Sequence, residues 1–144
     1  MVGRSALALA LSFAISCNTL IAAENKAATP RQIKTITIEQ QGRSEHSDEY
    51  AIQTCKSFTL RASQVAQFLE QATEIDSRFH THDRYSPCHV TGAVEFADGS
   101  KGQWQIHSGR TGILKKENGQ AVVLYCKKCR WKDPFSGGYD EGKS

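Results

Sequence analysis

Beyond residue 23 this 144-residue chain has no apolar run approaching the ~20 residues of a membrane-spanning helix, which excludes a multi-pass membrane protein. Proline is scarce, at 3, and glycine modest, at 11, too few for a collagen-like or Pro/Gly-rich disordered chain. Catalytic signatures are missing too. No Gly-x-Ser-x-Gly elbow occurs, and no His-Glu-x-x-His pair. Glu70, Glu74 and Asp76 suit the solvated face and end of a helix, with no base or oxyanion donor spaced around them. No repeat of solenoid period is present. The length suits one hydrophobic core and one domain.

The single long apolar stretch opens the chain. Residues 1–23 hold 16 apolar residues and one charge, Arg4. A short positive segment, an apolar segment from Ser5 to Ser16, and small residues ending at Ala23 have the layout of a secretory signal peptide cleaved after Ala23. Cys17, in Ala14-Ile15-Ser16-Cys17, stands in a loose lipobox, and its acylation would give an outer-membrane lipoprotein. Ala14 replaces the usual leucine there, so an ordinary residue of the apolar segment is the preferred reading. Without residues 1–23 the apolar share drops from 39% to about one third, lean for a globular domain.

Either route leaves Cys55, Cys88, Cys126 and Cys129. An even count in an exported chain of this size reads as two disulfides, which would compensate for the lean core. Four cysteines allow three pairings. Cys55–Cys88 with Cys126–Cys129 is preferred, the alternatives joining each of the first two to one of the last two. A redox role for Cys126-Lys-Lys-Cys129 would need the first thiol at a helix start, but the motif follows the strand-like Val122–Tyr125 and is soon followed by Asp133-Pro134. A zinc site would need a second close pair, and Cys55 and Cys88 stand apart.

After a flexible lead-in at 24–32, the pattern predicts one α+β domain over 33–135 and a flexible tail at 136–144. Ile33, Ile36 and Ile38 mark a half-buried strand from Ile33 to Gln40. Gln41 to Asp48 reads as a polar loop, and an extended piece leads through Cys55 to Leu60. Val65, Phe68, Leu69, Ala72 and Ile75 recur at helical steps and predict a helix over Ala62–Ile75. Asp76 to Pro87 is a polar loop. Apolar alternation around the turn dipeptides Asp98-Gly99 and Asn118-Gly119 then predicts a four-stranded antiparallel meander. The expectation is one helix packed on a mostly antiparallel, disulfide-stabilised sheet.

Two groups of residues invite a functional reading. His80, His82 and His89 are ligand types suited to zinc, copper or nickel. Exposed loop histidines are the commoner outcome, so they are weak candidates and no metal or cofactor is expected. The stretch 110–132 sets Arg110, Lys115, Lys116, Lys127, Lys128, Arg130 and Lys132 against Glu117, with Tyr125 and Trp131 nearby. Brought together, these would form a cationic patch for a protein or an anionic envelope component; nucleic acid is disfavoured for an exported chain. Gly137 to Ser144 spells the phosphate-loop pattern, but no helix can follow it, so the match is chance.

Cys55-x-x-Phe-x-Leu60, Val65-x-x-Phe-Leu69, Tyr85-Ser-Pro-Cys88, Gly92, Trp104-x-Ile106 and Trp131-Lys-Asp-Pro134 together resemble a group of small exported proteins of Gram-negative bacteria with four cysteines. The resemblance spans most of 55–135 and implies a periplasmic or envelope location; it brings no functional residues with it. The expected function is a small exported non-catalytic binding protein, an inhibitor or immunity-type partner of another protein. The alternative is a small periplasmic enzyme, metal-dependent through the histidines or redox-active through Cys126 and Cys129.

Overall fold

The computed structural model describes Gly3, residues 31–78 and residues 85–136. The signal segment with Cys17, the loop histidines His80 and His82, and the tail from 137 onward lie outside the described residues. Strand β1 (Ile33–Ser44) is followed by helices α1 (Glu49–Cys55) and α2 (Ala62–Gln71) and the two-residue β2 (Thr73–Glu74). Then come β3 (Cys88–Phe96), β4 (Lys101–His107), β5 (Thr111–Lys116) and β6 (Ala121–Tyr125). All six strands join one antiparallel sheet in the order β1-β3-β4-β5-β6-β2. The α+β class and the C-terminal meander agree with the sequence pattern. Gly99 and Gly119 take φ of 85° and 83°, a left-handed conformation that suits glycine in tight hairpin turns.

Three segments depart from the sequence reading. Glu49–Cys55 is helical, so the domain has α1 as well as the expected α2. The Asp48 carboxylate accepts from the Ala51 N–H at 2.9 Å and caps this short helix, which buries Ala51 and Cys55 one turn apart. Helix α2 ends at Gln71, because Thr73 and Glu74 pair with Tyr125 and Leu124 and the Ile75 N–H donates to the Val123 carbonyl. A sheet edge in need of hydrogen-bond partners outcompetes the last helical turn at these β-branched positions. Finally, β1 continues through Gln41 to Ser44, with register shifts after Ile38 and Gln40. Such bulges bend the strand.

The sheet has two unlike faces. Val90, Val94, Trp104, Ile106, Leu114, Val122 and Leu124 form the core with Val65, Phe68 and Leu69 of α2 and with Phe58 and Leu60 before it. Gly112 is buried with no room for a side chain: a Cβ there would come within 2.7 Å of the Gln105 carbonyl and 2.9 Å of the Phe68 ring. Along each strand the alternate residues point to the opposite face, which carries Thr35, Thr37, Thr91, Gln103, Gln105 and Ile113, all half-buried or exposed. The disulfides are Cys55–Cys88, from the end of α1 to the start of β3, and Cys126–Cys129, just after β6. Their cysteines are fully buried. Among the described residues no helix is long and apolar enough to cross a membrane.

Candidate metal centre

At one end of the open face, three segments converge. The antiparallel register sets Arg43 and His107 on either side of His89, and Glu45 follows directly after β1. His89 and His107 are thus cross-strand neighbours, their ring centroids 5.5 Å apart. One potential ligand atom from each of Glu45, His89 and His107 lies within 4.8 Å of the other two.

The short segment Ser86-Pro87 aims all three groups. The His107 Nδ1 donates to the Ser86 carbonyl at 3.1 Å, and the His89 Nδ1 donates to the Pro87 carbonyl at 3.3 Å. The Glu45 N–H donates to that same Pro87 carbonyl at 2.9 Å. A carbonyl can only accept, so each imidazole carries a proton on Nδ1, and Nε2 is the ring nitrogen left for an ion. Histidines that ligate metals are held in this way, with the far nitrogen tied to a carbonyl or carboxylate.

Ser86-Pro87 is in turn fixed from three directions. Cys88 is tied to α1 by its disulfide, and its carbonyl accepts from the Ser108 N–H at 2.9 Å. The Ser86 and Ser108 hydroxyls share a short hydrogen bond. Asp133 Oδ1 closes the chain, 2.9 Å from Ser108 Oγ and 3.3 Å from Ser86 Oγ. A buried polar network satisfied at every member rigidifies what it touches.

Two more side chains border the cluster. Gln105 Nε2 donates to His107 Nε2 at 3.0 Å and to Glu45 Oε1 at 3.1 Å. The Tyr85 hydroxyl stands 3.4 Å from Glu45 Oε2 and 2.8 Å from His46 Nε2. Burial first, and then the Glu45 charge and hydrogen bond, push the Tyr85 phenol above its ordinary pKa, so it stays neutral.

These residues suit a divalent transition metal. Two imidazoles and a carboxylate are borderline donors of the kind zinc accepts. With ligand distances of about 2.1 Å, neighbouring ligand atoms stand about 3.4 Å apart at a tetrahedral angle and about 3.0 Å at a right angle. His107 Nε2 and Glu45 Oε1 are 3.5 Å apart, near the tetrahedral spacing. The His107 side chain is 0% exposed and that of Glu45 34%, so the centre has a dry wall and an open side through which an ion can arrive.

Of the histidines singled out in the sequence, His89 belongs to this cluster, while His80 and His82 lie outside the described residues. His107 and Glu45 were missed. The signal for His107 lay in the hairpin register: with the three residues Ala97-Asp98-Gly99 as the turn, Phe96 faces Ser100 and His89 falls opposite His107.

The basic stretch does not form one patch. Arg110, in the β4–β5 turn at φ 67°, and Arg130 both donate to the Lys127 carbonyl, at 3.5 and 3.0 Å, around the Cys126–Cys129 loop that also presents Lys128. Lys115 and Lys116 sit at the far end of β5, opposite Gln103 and Gly102. Five residues of strand, roughly 17 Å, separate Lys115 from Arg110. Trp131 is half-buried: its indole N–H donates to the Ser108 carbonyl at 2.9 Å and its ring packs on Phe58 and Phe68. Lys132 is exposed beside it. Cys126 and Cys129 are both buried, whereas a redox pair needs an accessible sulfur.

No protein-family model matches the chain, and no curated protein or solved structure matches it.

Proposed function

We propose that this chain is a small exported, non-catalytic binding protein whose ligand is a zinc-like divalent ion held by Glu45, His89 and His107. The observation that carries this reading is the fixing of all three residues by the Ser86 and Pro87 carbonyls, with a ligand atom of each within 4.8 Å of the other two and His107 Nε2 3.5 Å from Glu45 Oε1. Export is supported by the signal-like start and by two disulfides, which persist in oxidising compartments such as the periplasm.

The test is a zinc titration of the chain with both disulfides intact. One equivalent should bind. Replacement of His107 by Gln or of Glu45 by Gln should weaken binding by roughly tenfold to a hundredfold or more, as loss even of an outer-sphere partner does. A wild-type chain that binds no zinc, or variants that bind as it does, would defeat the proposal.

A second reading is favoured by the gathering of Arg110, Lys127, Lys128 and Arg130 around one disulfide loop. This cluster suits an anionic component of the envelope. Charge reversal of Lys127, Lys128 and Arg130 should then abolish co-sedimentation with anionic vesicles; unchanged sedimentation removes the reading.

A further inference from the structure

The amide of Gln105 occupies an unusual place. Its Nε2 stands 3.0 Å from His107 Nε2 and 3.1 Å from Glu45 Oε1, while those two atoms are 3.5 Å apart. The three atoms therefore form a triangle with sides of 3.0 to 3.5 Å, the range over which neighbouring ligands of one ion are spaced. His89 adds a further potential ligand atom within 4.8 Å of those of Glu45 and His107. Two His, one Glu and the Gln105 amide thus supply four groups for a four-coordinate ion.

Given the zinc reading of this same site, on which it rests, we infer that Gln105 is the fourth ligand, acting through Oε1 once its amide has turned over. The two faces of the amide suit the two states. Without an ion, the amide NH₂ donates to His107 Nε2 and to Glu45 Oε1 at once. With an ion, those lone pairs are directed at the metal and an N–H aimed at a cation is repelled. A half-turn about the last side-chain torsion puts the carbonyl oxygen where the nitrogen stood. Terminal amide torsions are broad and close to two-fold, so both orientations are open to the side chain.

The consequence bears on function. Three protein ligands leave a fourth position for water and substrate, the arrangement of catalytic zinc; four close the shell. Gln105 makes this centre a place that holds an ion. Its neutral oxygen in place of a thiolate or a third imidazole also makes for a weaker hold, suited to reversible loading.

Cobalt(II) is the probe, because four-coordinate cobalt absorbs visible light far more strongly than five- or six-coordinate cobalt. The disulfide-intact chain, Gln105→Leu and Gln105→Glu are titrated, with circular dichroism and melting to show that each is folded. The expected result is an intense spectrum for the wild-type chain. Gln105→Leu should lose roughly tenfold or more in affinity together with a changed spectrum. Gln105→Glu, which keeps an oxygen at the same place, should bind at least as tightly as wild type with an intense spectrum. If Gln105→Leu binds as well as wild type with the same spectrum, or more tightly, Gln105 is only a spacer in the ion-free site and the inference is overturned while the zinc reading stands. If the wild-type chain takes up no cobalt, both fall together.

Discussion

The two ends of the sheet are built on different principles. At the lysine end, the hairpin turns Asp98-Gly99 and Asn118-Gly119 are closed by hydrogen bonds between near neighbours, such as the Ser100 and Gln120 N–H groups donating to the Asp98 and Asn118 side chains. Its ion pair, Lys34–Glu95, has side chains 63% and 30% exposed. At the histidine end, groups far apart in the chain are brought into contact: Glu45 with Pro87, Ser86 with Ser108, Ser108 with Asp133. Ser86, His107 and Ser108 are buried there, and their side-chain polar atoms have hydrogen-bond partners. Local turns fold the chain back on itself; a buried network assembled from four segments fixes the direction of particular side chains, which a binding centre needs and a hairpin does not.

The comparison breaks most severely if the staple at the histidine end is removed. Replacing Cys55 and Cys88 together by Ala releases a crosslink between residues 33 apart in sequence and should cost about 3–4 kcal/mol, read from the denaturant midpoint. Zinc affinity should fall with it, since Cys88 adjoins the Ser86-Pro87 carbonyls. A stable variant with full affinity would show that the site is held by its strands alone.

A smaller effect is expected from Asp133→Ala, which leaves the hydrogen-bonded pair of buried Ser86 and Ser108 hydroxyls without an acceptor for its second proton. The loss should be about 1–3 kcal/mol in chemical unfolding. Because Ser86 also orients His107, zinc binding should weaken although Asp133 is no ligand. Loss of stability with affinity untouched would separate the network from the site.

The smallest effect belongs to the lysine end. The Ser100 hydroxyl and N–H hold the Asp98 carboxyl below its ordinary pKa. A carboxyl depressed on folding stabilises the folded chain above its unfolded pKa, and that contribution disappears as pH falls through the lowered folded value. Asp98→Ala should therefore lower the melting temperature slightly at neutral pH, and the gap should close below about pH 4. Zinc binding should not change.

The same contrast explains what the sequence made legible. The core face was written in plain alternation, as at Trp104 and Ile106 or Val122 and Leu124, and the dipeptides Asp98-Gly99 and Asn118-Gly119 announced their turns. The meander follows from these local signals. Helix α1 was hidden because it is seven residues long, too short for a periodic stripe, although Asp48 with Glu49 was a capping signal. The end of α2 was misplaced because pairing with β6, a contact across fifty residues, decides where Thr73 leaves the helix.

The site was harder to see. His89 stood out by residue type, whereas His107 required the hairpin register and Glu45 required knowing that β1 lies beside β3 and extends past Gln40. Grouping by closeness in sequence failed for the same reason in the basic stretch: Lys115 and Arg110 are five residues apart and belong to opposite ends of one strand. Sequence proximity is a good guide to turns and a poor one to sites made by strand pairing.

The central claim is tested most directly by crystals of the disulfide-intact chain grown with zinc, with data collected above and below the zinc absorption edge. One strong anomalous peak is expected at about 2.0–2.2 Å from His89 Nε2, His107 Nε2 and a Glu45 oxygen. Zinc found only at other surface residues, with Gln105 still donating to His107 and Glu45, would contradict it.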